Sequence, residues 1–245
     1  THSANTSQDY NVIVGNYAGR EIDSSRNIVM GYNAGNDIDG GQNVAIGYSA
    51  MTGNATGSGN SGIVAVGDNA HYWTSSGDYN TCLGYYSSTY YNSAFNCVSI
   101  GNQARASYGN CIAIGTQAGS SASTSNNYNT FIGYQAGYDQ DGGDNCIFLG
   151  KYAGFGGGNG DHNIALGQSS LYYLNGGANN TALGYYSGNS ISGGDNNVLL
   201  GRNAGRSVST ADGNTFIGEQ AGYYNGSNTI NTTTGYNNTA IGAEA

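Results

Sequence analysis

Apolar residues recur along this chain as short alternating triplets, not as helical stripes. A unit reading Asn, β-branched, variable, aliphatic, Gly, two variable residues, Ala and Gly returns, in whole or large part, along nearly the whole sequence. Its clearest copies are NIVMGYNAG, NTFIGYQAG, NVLLGRNAG and NTFIGEQAG. The central glycines are Gly15, Gly31, Gly47, Gly67, Gly84, Gly101, Gly115, Gly133, Gly150, Gly167, Gly184, Gly201, Gly218 and Gly242. Their spacing centres on 17 residues, with extremes of 14 (Gly101 to Gly115) and 24 (Gly218 to Gly242). That period is too short for a helix-turn-helix repeat and suits one coil of a solenoid, expected here to hold two short strands and two turns. The pattern predicts an all-β, parallel β-solenoid of about fourteen short rungs over residues 9–245, after a lead-in at 1–8.

Each column of the repeat has an expected place. Three residues before the glycine stands a β-branched residue, from Val12 and Ile28 to Thr215 and Thr239. One residue before it stands Val, Ile, Leu or Met. Residues two apart in a strand share a face, so these two columns are expected to line the interior. Ala or Ser three residues after the glycine implies a tight second contact there. Asn four before the glycine suggests a turn bond or an amide ladder along the axis. The column two before the glycine, from Ile13 and Val29 to Phe216 and Ala240, is then expected to face outward. It is nonetheless mostly apolar, which predicts burial against another copy of the chain or under the long loops. The copy is the simpler remedy.

Composition narrows the function. With 43 Gly, 22 Tyr, no Pro and 9% charged residues, the chain departs from ordinary globular usage, but its fixed period separates it from disorder. Its net charge of −9, with six Lys and Arg, argues against a phosphate-backbone partner. No apolar run approaches the ~20 residues of a membrane-spanning helix. Cys97, Cys111 and Cys146 replace Asn in its column, and Cys82 lies two before its glycine. A disulfide between Cys97 and Cys111 is conceivable; buried, reduced thiols are the simpler reading.

Copies such as NVAIGYSA, NCIAIGTQA and NNTAIGAEA resemble the head repeats of YadA-like trimeric autotransporter adhesins. The longer polar-looped coil is also similar to repeats of bacteriophage tail fibres. The resemblance covers roughly residues 9–245 and implies a left-handed β-roll, a side-by-side homotrimer and a role in attachment. It also implies a place outside the cell, on a bacterial surface or a virion. The period is longer than in the adhesin heads, and there is no heptad stalk, so a segment of a larger fibre is expected.

Candidate chemistry is sparse. His2, His71 and His162 are scattered, Glu21, Glu219 and Glu244 are isolated, and no catalytic motif is present. No enzyme and no cofactor are expected. Six before the glycine lie Asp9, Asp78, Asp144, Asp161, Asp195 and Asp212; the neighbouring pairs Asp144 with Asp161 and Asp195 with Asp212 are the only calcium candidates. Turn capping is the simpler account of them. A Tyr, Asn, Gln and Gly surface suits glycan or protein binding. The expected receptor residues are Tyr72, Trp73, Tyr90, Tyr91, Tyr223 and Tyr224, on or beside the longer loops. The alternatives are an ice-binding solenoid, opposed by the mixed column taken as outward, and a polysaccharide-degrading tailspike built on an Asp pair.

Overall fold

The computed structural model describes residues 10–36, 38–53, 60–72, 77–89, 94–120, 127–156, 158–223 and 235–245. The chain divides into two compact units, Thr1–Thr116 and Gln117–Ala245. In the first, seven three-residue strands succeed one another: β1 (Val12–Val14), β2 (Ile28–Met30), β3 (Val44–Ile46), β4 (Val64–Val66), β5 (Thr81–Leu83), β6 (Val98–Ile100) and β7 (Ile112–Ile114). The second carries β8 (Thr130–Ile132), β9 (Ile147–Leu149), β10 (Ile164–Leu166), β11 (Thr181–Leu183), β12 (Val198–Leu200), β13 (Thr215–Ile217) and β14 (Thr239–Ile241). Within each unit consecutive strands pair in parallel and in register, so that Val12 faces Ile28 and Ile164 faces Thr181. Both units are therefore all-β parallel solenoids.

Two expectations are corrected. A coil contributes one strand, not two, among the described residues. Its far side is built from left-handed corners, at Tyr17 (φ 58°) and Gly19 (φ 60°) in the first coil and at Tyr152 (φ 60°) and Gly154 (φ 56°) farther on. It still bonds from coil to coil: the Gly19 N–H donates to the Ala34 carbonyl at 2.9 Å.

The second correction concerns the faces. The middle column is the interior: Val29, Ala45, Ala65, Cys82, Ser99, Ala113, Phe148, Ala165, Ala182 and Leu199 are fully buried. The two flanking columns point outward. Val12, Val14, Ile28, Met30 and Ile112 in the first unit are exposed, as are Ile132, Ile147, Leu149, Leu183 and Ile241 in the second. Alternation separates the two sets but does not say which lies inside. The coil's width does: it admits one inward side chain per strand, so the column richest in Ala takes the inside.

The narrow interior is filled by complementary sizes. Where the middle residue is large, the residue four after the central glycine is Gly, as in Ile13 with Gly19, Val29 with Gly35, Phe131 with Gly137 and Phe148 with Gly154. Where it is Ala, a large side chain comes from the other wall: Ala45 with Met51, Ala65 with His71 and Ala165 with Leu171. Met51, His71 and Leu171 are all buried. A Cβ at Gly154 would stand 2.3 Å from Phe148 Cδ2, so one side excludes the other. Ala113 with Gly119 and Ala182 with Gly188 depart from the rule. At Gly188, Leu171 and Leu199 of the adjoining coils fill the space, their methyls 2.9 and 2.7 Å from where a Gly188 Cβ would sit. Ala34, Ala50, Ala136 and Ala153, three after the glycine, are buried as expected, and Ile22, Ile38, Leu174, Ile191 and Val208 complete the core.

The Asn column forms the expected ladder. Asn27 Oδ1 accepts the Asn43 N–H at 2.9 Å, and Asn180 Oδ1 accepts the Asn197 N–H at 3.0 Å and its side-chain amide at 2.9 Å. The Asn180 amide donates in turn to the Gly194 carbonyl at 2.8 Å. The ladder thus satisfies main-chain groups that the short strands leave over. Replacing Asn180 by Leu strands several buried polar groups. The expected cost is about 2–4 kcal/mol, read as a fall in chemical-denaturation stability at unchanged slope.

All four cysteines are buried and free. The side-chain hydrogen bond between Cys97 and Cys111, together with burial, pushes the Cys97 thiol far up, and burial pushes Cys146 up to about 12. These are protonated thiols with little nucleophilic character.

Candidate functional site

The second unit carries a band of aromatic side chains beside the left-handed corners. Five residues after successive central glycines stand Tyr138, Phe155 and Tyr172. Tyr138 stacks on Phe155 at 5.3 Å and 6°, and Phe155 on Tyr172 at 4.9 Å and 9°. In-register coils place equal positions above one another, so identical columns become ring stacks. Three residues nearer the glycine, Tyr152 meets Phe155 and Tyr172 edge-on, at 5.6 and 6.0 Å. Lys151 Nζ lies 5.0 Å from the Tyr152 ring centroid.

The stacked column is then interrupted, and a small residue separates Tyr152 from the next ring in its own column. The next coils supply Ser169 where Tyr152 and Tyr186 stand above and below it, and Asn189 after Tyr172. The missing rings leave a cleft of about 340 Å³, lined by Tyr152, Gln168, Ser169, Tyr172, Tyr173, Tyr186, Asn189 and Arg206. Ser169 and Asn189 are buried and joined, the Asn189 amide donating to the Ser169 carbonyl at 3.0 Å. Tyr173 is 59% exposed and stands edge-on to Tyr172 at 4.7 Å. The Arg206 guanidinium lies 4.8 Å from the Tyr186 ring centroid and 5.9 Å from that of Tyr223. Burial within the stack, with neighbouring phenols, raises the Tyr172 phenol above its ordinary value. The Tyr172 hydroxyl is therefore a neutral donor and acceptor at physiological pH.

No Asp, Glu or His lines the cleft. Its lining combines four tyrosine rings with two side-chain amides, a serine hydroxyl and one guanidinium. Its size sits at the low end of small-ligand sites.

The expected receptor residues fare unevenly. Tyr72 and Tyr223 are half-buried, and only Tyr223 is near the cleft, through Arg206. Trp73, Tyr90, Tyr91 and Tyr224 lie outside the described residues. Tyr172, Tyr173, Asn189 and Arg206 were not singled out from the sequence. The available signal was the break in the Tyr138, Phe155 and Tyr172 column once the repeats are aligned.

The calcium candidates have another occupation. Asp161 Oδ1 accepts the Asp144 N–H at 2.9 Å, Asp144 Oδ1 the Asn127 N–H at 2.7 Å, Asp212 Oδ1 the Asp195 N–H at 2.8 Å and Asp195 Oδ1 the Ala178 N–H at 2.8 Å. Each carboxylate caps the backbone of the preceding coil, so this ladder runs opposite to the Asn ladder. Among the described residues no three His, Cys, Asp or Glu side chains converge on one point.

The fold and cleft define a repetitive parallel β-solenoid with a polar–aromatic cleft. Comparison with protein-family models, with curated proteins and with solved structures finds no match.

Proposed function

We propose that this chain is a non-enzymatic structural and attachment module of an extracellular fibre, of the adhesin-head or tail-fibre kind, whose solenoids stand side by side as a homotrimer. The reading rests on one observation above all: the outward face of each unit's strands is a stripe of Val, Ile, Leu, Met and Thr. Leu149 is 37% exposed, Ile147 40% and Leu183 40%. A stripe of this kind amounts to several hundred Å² of apolar surface, on the order of the most that a lone soluble chain keeps in water. A second and third copy cover it with the same surface, and their strands need no rearrangement to meet. The assembled columns are the shaft; the aromatic cleft is where a surface glycan is taken. Such a protein acts on a cell surface or a virion, where a rigid, repetitive scaffold carries recognition at a distance.

Leu149→Glu puts a charge into the stripe without touching the interior. It is expected to convert the assembly to monomers at micromolar concentration, measured by sedimentation equilibrium, while each monomer keeps its β-sheet circular dichroism. A parent chain that is monomeric across that range overturns the assembly.

The exchange of faces also bears on ice binding. The outward columns are more regular than expected and include Thr81, Thr130, Thr181, Thr215 and Thr239. The neighbouring outward column has no hydroxyl residue, and its Leu, Ile and Met side chains suit protein packing better than ordered water. Thermal hysteresis from a monomeric parent would decide for ice instead.

A further inference from the structure

We infer that the cleft between Tyr172 and Tyr186 takes a carboxylate-bearing pyranose, a uronic or sialic acid residue, with Arg206 as its anion anchor. The inference rests on the attachment reading above and names the ligand class of the same site.

Arg206 carries the argument. Only six Lys and Arg occur in a chain of net charge −9, and this one lines the cleft. Arg20 pairs with Glu21 at 3.6 Å, and Arg202 pairs with Glu219. No carboxylate among the described residues pairs with Arg206, and no Asp or Glu lines the cleft. Its backbone is held, the Arg206 N–H donating to the Asn203 carbonyl at 3.2 Å and its carbonyl accepting the Ser190 N–H at 3.1 Å. Its guanidinium lies against the Tyr186 ring. A guanidinium held over a ring and without a carboxylate partner can meet a ligand carboxylate with two parallel bonds.

The remaining lining suits a sugar. Tyr172 and Tyr186 offer flat faces to the C–H side of a ring, while Gln168, Ser169 and Asn189 offer donors and acceptors for hydroxyls. A peptide is less well served. The backbone here is already spent between coils: Tyr173 N–H to the Asn189 carbonyl at 3.0 Å, Tyr186 N–H to Gln168 at 3.0 Å and Ser169 N–H to Lys151 at 2.9 Å. None of the residues lining the cleft belongs to a strand, so no strand edge is offered there to an extended chain.

The test is titration of the full chain with D-glucuronate, N-acetylneuraminate and neutral D-glucose, followed by backbone and ring NMR shifts. At least one acid is expected to shift Tyr172 and Tyr186 resonances at concentrations where glucose does not, and the pair of acids tells uronic from sialic specificity. Arg206→Gln is expected to weaken the acid about tenfold or more, with Arg206→Lys recovering only part and the melting temperature of both unchanged. Equal binding of glucose and the acids, or an Arg206→Gln variant that holds the acid as well as the parent, overturns the proposal. So does preferential binding of an acetylated Asp-Glu dipeptide amide in the same cleft. Beads coated with the chain separate this from the underlying reading. Adhesion to glycan-bearing cells that survives Arg206→Gln and excess free acid leaves attachment standing and removes the cleft's role. Absence of adhesion by the parent, with no sugar bound, removes both.

Discussion

Replacing Phe148 by Ala is expected to cost about 3–5 kcal/mol of unfolding free energy, and Gly154→Leu in the same protein to return a large part of it. Phe148 is fully buried in a coil wide enough for one large side chain, and its ring stacks on Phe131 at 5.3 Å. Truncation removes the ring's transfer energy and leaves a cavity that the rigid coils above and below cannot close. Gly154 faces that ring from the other wall, its would-be Cβ 2.3 Å from Phe148 Cδ2, so Gly154→Leu alone collides and is also strongly destabilising. Once the ring is gone, a leucine there reproduces the arrangement of Ala165 with Leu171, in which Leu171 already holds φ 48° in the coil that follows. The left-handed backbone still costs the new leucine roughly 1–2 kcal/mol, so recovery is incomplete. In a double-mutant cycle the pair should be at least about 2 kcal/mol more stable than the sum of its single changes. Additive effects would mean that the two walls do not compete for one space.

Acidification should destabilise the first unit through His71. The imidazole is buried at the position that Met51 occupies one coil earlier, with Nε2 3.3 Å from Thr89 Oγ1. Burial disfavours the cation and lowers its pKa from 6.5 to about 4, against a smaller opposing effect of the backbone. The folded pKa lies below the unfolded one. Stability from this group is therefore complete above about pH 6.5 and is lost as pH falls toward 4, because the unfolded chain binds a proton that the folded chain refuses. Integrated across that window, the loss is about 3 kcal/mol. His71→Met keeps a large side chain opposite Ala65 and has no proton to bind. Its denaturation midpoint should change less between pH 7 and pH 4.5 than the parent's. If the two fall in parallel, His71 is not the group responsible.

A face exchange of this kind leaves the outline of the fold intact and alters what its surfaces do. The middle column, expected to be exposed, is the core; the Val/Ile and Leu/Ile columns, expected in the core, form the exposed apolar stripe. The inference of an apolar outward surface survives with its residues replaced. The clue was local: a column holding Ala45, Ala65, Ala113, Ala165 and Ala182 belongs where space is shortest. The cleft was legible only in part. Tyr152 and Tyr186 hold equal positions in their repeats, but a gap at Ser169 and Asn189 acquires meaning only after coils of unequal length are set in register. The expected receptor residues were sought on the longest loops, whereas the cleft lies on regular coils.

The repeat itself determined the parallel solenoid, the rung positions, the Asn ladder and the small residues three after each glycine, because a fixed period forces equal side chains into columns. Tertiary structure alone decided which face is inside, that a coil holds a single strand among the described residues, and where an interrupted aromatic column opens into a groove beside Arg206. Alternation is symmetric between the two sides of a strand. Only closing the chain into a narrow coil breaks that symmetry, by limiting the volume available on one side.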